Sequence, residues 1–319
     1  LNKKKKIAVV TGCCGFIGSH LTEFLIKKNI FVIGLDNLST LKKIYLQNLK
    51  KNNFKFYKID LLKNNLDRYF KNADFVYHLA ANADVRYGLS HRKKDINQNI
   101  IVTYKILEQL YKNRITKFIF SSTGSVYGDT KEIPTKETAS FPIQTSLYGA
   151  SKISAEALIS AYSEAYNIKS YIFRFVSILG PRYSHGHVYD FLKQLLKNKN
   201  HLEVLGDGNQ KKSYLSVEDC INAIWKSINY FNEKVNIINL GTAEYLNVKA
   251  SIEIICNVLD VKPKIIYKGG KRGWIGDNPF IFLDTKKIRK TGWKPKFTIK
   301  QSIEKTVKYI INNKWILKK

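Results

Sequence analysis

In the stretch "LYGASKISAEAL", Tyr148 and Lys152 stand four residues apart. On a helix, positions i and i+4 share a face, so the phenol and the ammonium become neighbours. A cation beside a phenol favours the phenolate and draws its pKa from ~10 towards neutral pH, where it can act as a base. A second stretch, "FIFSSTGSVYG", ends a β-rich run and carries three hydroxyls, Ser121, Ser122 and Thr123. Such hydroxyls either hydrogen-bond a substrate oxygen or cap the turn that follows. Capping suits Ser121 and Ser122 better than Thr123.

The third stretch is "VVTGCCGFIGSHLTEFLIKK", from Val9 to Lys28. A β-branched run ends at Thr11, glycines follow at Gly12, Gly15 and Gly18, and apolar residues then recur at helical spacing. This reads as strand, tight turn and helix. Gly12 permits the turn, Gly15 lets a pyrophosphate approach the backbone, and Gly18 lets helix and strand pack closely. The helix N-terminus offers free N–H groups to phosphate. Asp36 ends the next β-rich run, 24 residues after Gly12, near the offset expected for an acid that binds an adenosine ribose 2′-hydroxyl. An acid there repels a 2′-phosphate, so NAD is expected rather than NADP. Asp60, after a third such run, either reaches the adenine or caps a helix. Cys13 and Cys14 lie inside the turn. A thiol at a helix N-terminus can have a lowered pKa, and small residues also simply fit such a turn.

These stretches need a frame to bring them together. Apolar runs at 6–12, 31–36, 54–61, 73–81, 116–123, 170–180 and 235–241 alternate with amphipathic stretches such as 96–113 and 148–166. Strand–helix alternation implies a doubly wound parallel sheet covered on both faces, an α/β fold of Rossmann type. After residue 180 the pattern loosens, and "GPRYSHGHVYDF" and "GGKRGWIGDNPF" read as loops. The expected organisation is a cofactor domain of residues 1–176 and about 213–246. A smaller α/β substrate domain takes about 177–212 and 247–319.

Bulk properties restrict the function classes. The chain has 319 residues and a formal charge of +29. Lysines are spread along its whole length rather than clustered with aromatics, so composition accounts for the charge better than nucleic-acid binding does. No apolar run reaches the ~20 residues of a membrane helix, and no signal-peptide pattern precedes the first strand; a cytoplasmic protein is expected. Cys13, Cys14, Cys220 and Cys256 show no metal-ligand spacing. His185 and His187 are separated by a single residue with no Cys or carboxylate cluster nearby, so no metal is expected. Trp274 and Trp293 read as core or loop anchors.

The pieces "TGCCGFIG", "LDNLST", "HLAANADVR", "SSTGSVYG", "YGASK", "FRFVSILGPR", "LGDGNQKKSYLSVEDC" and "RGWIGD" run in order from residue 11 to about 277. Together they resemble the nucleotide-sugar epimerases and dehydratases of the extended short-chain dehydrogenase/reductase family. The resemblance implies NAD contacts at Gly12, Gly15, Phe16, Ile17, Gly18, Asp36, Asn37, Asp60, Leu61, Leu79, Ala80, Ala81, Asn99, Ser121, Tyr148 and Lys152. It implies a mechanism in which Tyr148 takes the proton of a sugar hydroxyl and NAD holds the C4 hydride. The 4-keto sugar is then re-reduced on its opposite face. Thr123 would hydrogen-bond O4, and Lys152 would hold the nicotinamide ribose. Dehydratases of the family carry an acid pair just after the Ser/Thr, where this chain has Gly124 and Ser125. Without that acid, 4-epimerisation of the UDP-glucose/UDP-galactose type, or of the N-acetyl counterparts, is favoured. A CDP-sugar 2-epimerase, a dehydratase or a keto-sugar-forming enzyme is the alternative, with a non-catalytic NAD- or nucleic-acid-binding protein behind it. Substrate contacts are implied for Arg86, Thr123, Ser125, Tyr148, Ser177, Arg182, Lys212, Arg272 and Asp277. Ser177 replaces the family's frequent Asn and Lys212 its usual Arg, so phosphate would meet a point charge instead of a fork. Arg182 also reads as a structural ion-pair partner, and Asp277 as a helix cap. A homodimer through helices 96–113 and 148–166 is implied, with no nucleic-acid or membrane partner.

Overall fold

The computed structural model describes residues 5–39, 43–46, 49, 51–83, 85, 87–140, 143–270, 272–273 and 280–317. The chain forms two compact units. The first comprises Leu1–Val126, Leu147–Arg174 and Ile224–Ile238, and the second comprises Tyr127–Ser146, Phe175–Ala223 and Asn239–Lys319.

The first unit is built on a seven-stranded parallel sheet. Its strands are β1 (Ile7–Thr11), β2 (Phe31–Asp36), β3 (Phe54–Lys58), β4 (Phe75–His78), β5 (Lys117–Thr123), β6 (Lys169–Phe175) and a last strand, Val235–Leu240. From the Val235–Leu240 edge the order runs to β6, β5, β4, β1, β2 and β3. The order in which strands are added therefore reverses beside β1, the place where such sheets bind ligands. Register brings the strand ends to one edge: Thr11 pairs with Leu35 and His78, and His78 with Phe120. β4 is buried throughout, as expected for a strand covered on both sides. Val9, Val76, Phe118 and Ile172 pack with Ile106, Leu110, Ala155 and Ile159 from helices Val102–Lys112 and Leu147–Tyr166. The helix α1 (Phe16–Lys27) meets Val217–Tyr230 through Phe24 on Trp225, 5.6 Å between ring centres.

Among the described residues the second unit holds three two-stranded sheets. Asp219, buried there, accepts from the Lys296 and Phe297 amides and from Ser216 Oγ. Trp293 is buried and donates its indole N–H to Asp219 O. The segment Tyr127–Ser146 lies inside the sequence-expected range 1–176 yet packs in this unit. Tyr127 Oη donates to Asn239 Oδ1 (2.8 Å), and the Thr135 backbone pairs with Phe282 and Asp284.

Two readings of the sequence need correction. The run 170–180 is not one strand: Val176 separates β6 from Ser177–Leu179, which pairs with Tyr214–Ser216 in the second unit. "HVYDF" is not loop but the start of helix His187–Lys197. Its apolar residues Val188, Phe191, Leu192 and Leu195 recur at helical spacing and are buried.

Gly18 sits where a Cβ would lie 2.0 Å from the Gly12 carbonyl oxygen. Gly18→Ala must therefore push backbone apart, and such overpacking costs about 1–3 kcal/mol. A lower urea midpoint than the parent chain, with unchanged denaturant slope, is the expected outcome.

Candidate active site

β1 stops at Thr11 and α1 begins at Phe16, with Gly15 as an N-cap that has no side-chain hydrogen bond. The turn between them is crowded by its own backbone. Gly12 has φ +70°, and a Cβ there would lie 2.7 Å from the Ala80 nitrogen; at Gly15 it would lie 3.1 Å from the Gly12 carbonyl oxygen. The first amides of α1, those of Phe16, Ile17 and Gly18, have no acceptor within the helix and point from its N-terminus. Leu79, Ala80 and Ala81 continue β4 beside this turn, with Leu79 N donating to Thr11 O and Ala80 N to Thr11 Oγ1. Asp36 closes β2; its Oδ2 accepts from Cys14 N (2.9 Å) and its Oδ1 from Leu38 N (2.8 Å). Burial nevertheless raises its pKa. Asn37 Oδ1 accepts from Ser39 N. Asp60 is a turn cap, with Oδ1 accepting from Leu62 N, and Leu61 is buried beside it. This backbone cradle and terminal carboxylate fit the pyrophosphate and ribose of a dinucleotide.

The second cluster lies at the end of β5. Tyr148, half-buried on helix Leu147–Tyr166, hydrogen-bonds the Thr123 hydroxyl. Thr123 Oγ1 also accepts from Ser125 N (3.1 Å) and donates to Ser125 Oγ (3.2 Å). Lys152, 2% exposed, donates to Ser121 O at 2.8 Å and lies 4.6 Å from the Phe120 ring centre. Tyr148, Lys152, Thr123, Ser121 and Ser125 are therefore brought together.

Two expectations change here. Thr123, not Ser121 or Ser122, caps the turn; Ser121 Oγ donates to His78 O, and Ser122 Oγ to Glu156 Oε1. The phenol is also not drawn downwards by the residues around it. Burial pushes Tyr148 up to about 12, against the opposing effect of the Thr123 hydrogen bond. Burial likewise brings Lys152 down to about 7, with Glu156 and Asp95 acting the other way. Removal from water outweighs the local partners of both groups. Cys13 departs from a thiol at a helix N-terminus in the same sense, raised well above its ordinary value by burial first and Cys14 second.

The sequence reading named Asn99 but missed Asn82, Asp95, Ser151, Glu156 and Arg174, which support this cluster with it. Asp95 is 1% exposed and accepts from Asn82 Nδ2 (2.8 Å). Asn82 N donates to Asn99 Oδ1 (2.9 Å), Asn99 Nδ2 to Ser151 Oγ (2.8 Å), and Ser151 Oγ to Tyr148 O (2.8 Å). Asn99 lies in a widened π-helical turn, Ile96–Ile101, of a kind often found at functional sites. Glu156 pairs with Arg174, Nη2 to Oε2 at 2.6 Å, both buried. The available signal was spacing: Asp95 stands one turn before Asn99, and Glu156 one turn after Lys152.

In the second unit, Ser177 pairs with Tyr214 on the short sheet. Arg182 has φ +70°, Lys212 lies on Lys211–Lys212, and Arg272 pairs with Asp129. His187 hydrogen-bonds Tyr214 Oη (2.7 Å), and burial lowers its pKa to about 3. His185 stacks on Tyr183. Arg86, Asp277 and Trp274 lie outside the described residues.

With this geometry in view, the matches to known proteins define a class. Residues 8–241 match the NAD dependent epimerase/dehydratase family. A putative UDP-glucose 4-epimerase of Methanocaldococcus jannaschii is 34% identical, covering 96% of this chain and 98% of its own. The UDP-N-acetylglucosamine 4-epimerase of Methanobrevibacter ruminantium M1, solved with UDP-N-acetylmuramic acid, superposes with a TM-score of 0.86 at 30% identity over 97% and 99% of the two chains. The UDP-glucuronic acid 4-epimerase of Bacillus cereus, solved with UDP-glucuronic acid and NAD, gives 0.88 at 28% identity over 96% and 99%. The chain belongs to the NAD dependent epimerase/dehydratase family, and its cofactor is NAD.

The raised phenol sets a testable baseline. Without cofactor, the parent chain and Tyr148→Phe should show the same phenolate absorbance between about pH 8 and 10, since a group at about 12 is still protonated there. Adding NAD should open a one-tyrosine difference in that range, because a cation beside the phenol favours its ionised form. A difference already present without NAD would contradict the burial argument.

Proposed function

We propose that the protein is a 4-epimerase of a UDP-linked hexose, with Tyr148 as base and acid, Thr123 as the partner of the sugar's O4, and Lys152 as the group that holds the nicotinamide ribose. The observation that carries this reading is the Thr123–Tyr148 hydrogen bond at the end of β5, with buried Lys152 one helical turn away. NAD, when bound, supplies a hydride acceptor that can return what it takes. The residues do the rest. The Tyr148 oxygen removes a hydroxyl proton and later gives it back, and Thr123 keeps that hydroxyl in line. The Gly12–Gly18 turn and Asp36 hold the dinucleotide. Gly124 and Ser125 follow Thr123, so no carboxyl group stands there to protonate a leaving hydroxyl, which favours epimerisation over elimination. Ser177, Arg182, Lys212 and Arg272 are proposed contacts of the substrate, with the three cations directed to its diphosphate. Arg86 and Asp277 remain proposals on sequence alone.

Purified protein without added cofactor, given UDP-glucose, UDP-galactose, UDP-glucuronic acid and their N-acetyl relatives in turn, should interconvert a C4 pair. Tyr148→Phe should lower kcat by roughly 100- to 10,000-fold, the usual worth of general acid–base catalysis. Products lacking water, or left oxidised, would overturn the 4-epimerase reading.

A homodimer through the helix pair is part of the same proposal. Tyr104, Tyr111 and Tyr166 are 44%, 55% and 47% exposed and form with Tyr162 a run of touching rings across helices Val102–Lys112 and Leu147–Tyr166. So much exposed aromatic surface supports an association there. Light scattering at micromolar concentration should give twice the chain mass, and Tyr104→Glu with Tyr111→Glu should halve it; a monomeric parent chain would overturn the dimer.

A further inference from the structure

We propose that Cys13, Cys14 and Asp36 form a binding site for a thiophilic divalent cation of the zinc group, and that its occupation excludes the cofactor. The second half of this inference rests on the reading of Asp36 as the adenosine ribose contact.

The geometry is close to that of a dithiolate site. The two sulfurs lie 3.9 Å apart, and they and an Asp36 carboxylate oxygen all fall within 4.8 Å of one another. Two thiolates held at ~2.3 Å from one tetrahedral ion stand about 3.8 Å apart. Among the described residues this is the one group of three such donors at that proximity. Two sulfurs and a carboxylate, with a fourth position for water, select zinc or the softer cadmium over magnesium and calcium. The sequence conceals the site because Asp36 joins it only through the pairing of β1 with β2.

Local packing supports the arrangement. Cys13 Sγ occupies space that β2 leaves open by carrying glycine: a Cβ at Gly34 would lie 2.7 Å from it. Both thiols are buried. Binding is then an exchange, M²⁺ with two Cys–SH giving M(S–Cys)₂ and two protons, with no change of oxidation state. The Asp36 oxygens already accept from Cys14 N and Leu38 N. A cation drawing on that carboxylate would turn it from the face it offers to a ribose and fill the turn that a pyrophosphate must approach. Cation and dinucleotide therefore compete for the same carboxylate and the same turn.

The test uses the full chain with Cys220→Ser and Cys256→Ser, stripped of NAD and titrated with Cd²⁺. A near-ultraviolet sulfur-to-cadmium band should saturate at one ion per chain, release two protons per ion, and vanish in Cys13→Ala and in Cys14→Ala. Above the cofactor's own Kd, each tenfold rise in NAD should weaken apparent Cd²⁺ affinity tenfold. A band that survives both alanine substitutions overturns the site. A band lost on substitution but indifferent to NAD overturns the exclusion, and with it the placement of the ribose at Asp36. Should the doubly serine-substituted chain not fold, the holoprotein serves: Cd²⁺ should release NAD from the parent chain but not from Cys14→Ala. Equal release from both, or from neither, overturns the proposal.

Discussion

The burial of an ionisable lysine governs the arrangement of the first unit. Charge removed from water is costly unless opposed and hydrogen-bonded. Lys152 is in that position, and its donation to Ser121 O ties helix Leu147–Tyr166 to the end of β5 two residues before Thr123. Glu156 supplies negative charge one turn on. Being buried itself, it needs donors, and it takes them from Arg174 on β6 and Ser122 on β5. Asp95 is the second buried carboxylate, fastened by Asn82. Two basic and two acidic side chains, Lys152, Arg174, Glu156 and Asp95, thus meet in one interior. The requirement that they do so places Thr123 and Tyr148 against each other.

The dinucleotide turn is coupled to this cluster through a neutral polar chain. Thr103 Oγ1 donates to Asn99 O (2.6 Å) and so accepts from His78 Nε2 (3.1 Å). His78 Nδ1 is then left to accept from Thr11 Oγ1 (2.7 Å), and Thr11 Oγ1 from Ala80 N. Each donor has one acceptor only if the imidazole is neutral with its proton on Nε2. Burial supports that state, lowering the His78 pKa to about 3. The residue that ends β1 and the residue at the centre of the π-turn are therefore linked with no net charge. A rigid, uncharged link suits a site in which the base and the hydride acceptor must hold one geometry.

Local signals carried much of the fold. The strand 31–36 and the helix 148–166 were legible nearly to their ends, because β-branched runs and four-residue apolar spacing report one-dimensional preferences. The glycine turn was legible for a different reason: a backbone that comes within contact of its own carbonyls tolerates no Cβ, and that restriction is written residue by residue. Boundaries that depend on distant partners were not legible. The break at Val176 and the departure of Tyr127–Ser146 follow from pairing with residues near 214, 239 and 283.

The same division runs through the candidate site. The order of motifs, the Tyr148–Lys152 spacing, the glycines and the acid at Asp36 are matters of sequence, and they suffice for the family and for NAD. Which hydroxyl caps and which faces the phenol, the sign of the Tyr148 shift, the service of Asp95, Glu156 and Arg174, and the meeting of Cys13 and Cys14 with Asp36 were decided only by tertiary structure. Each depends on burial or on contact between strands far apart in the chain. Desolvation and through-space hydrogen bonding do not exist until the sheet has assembled.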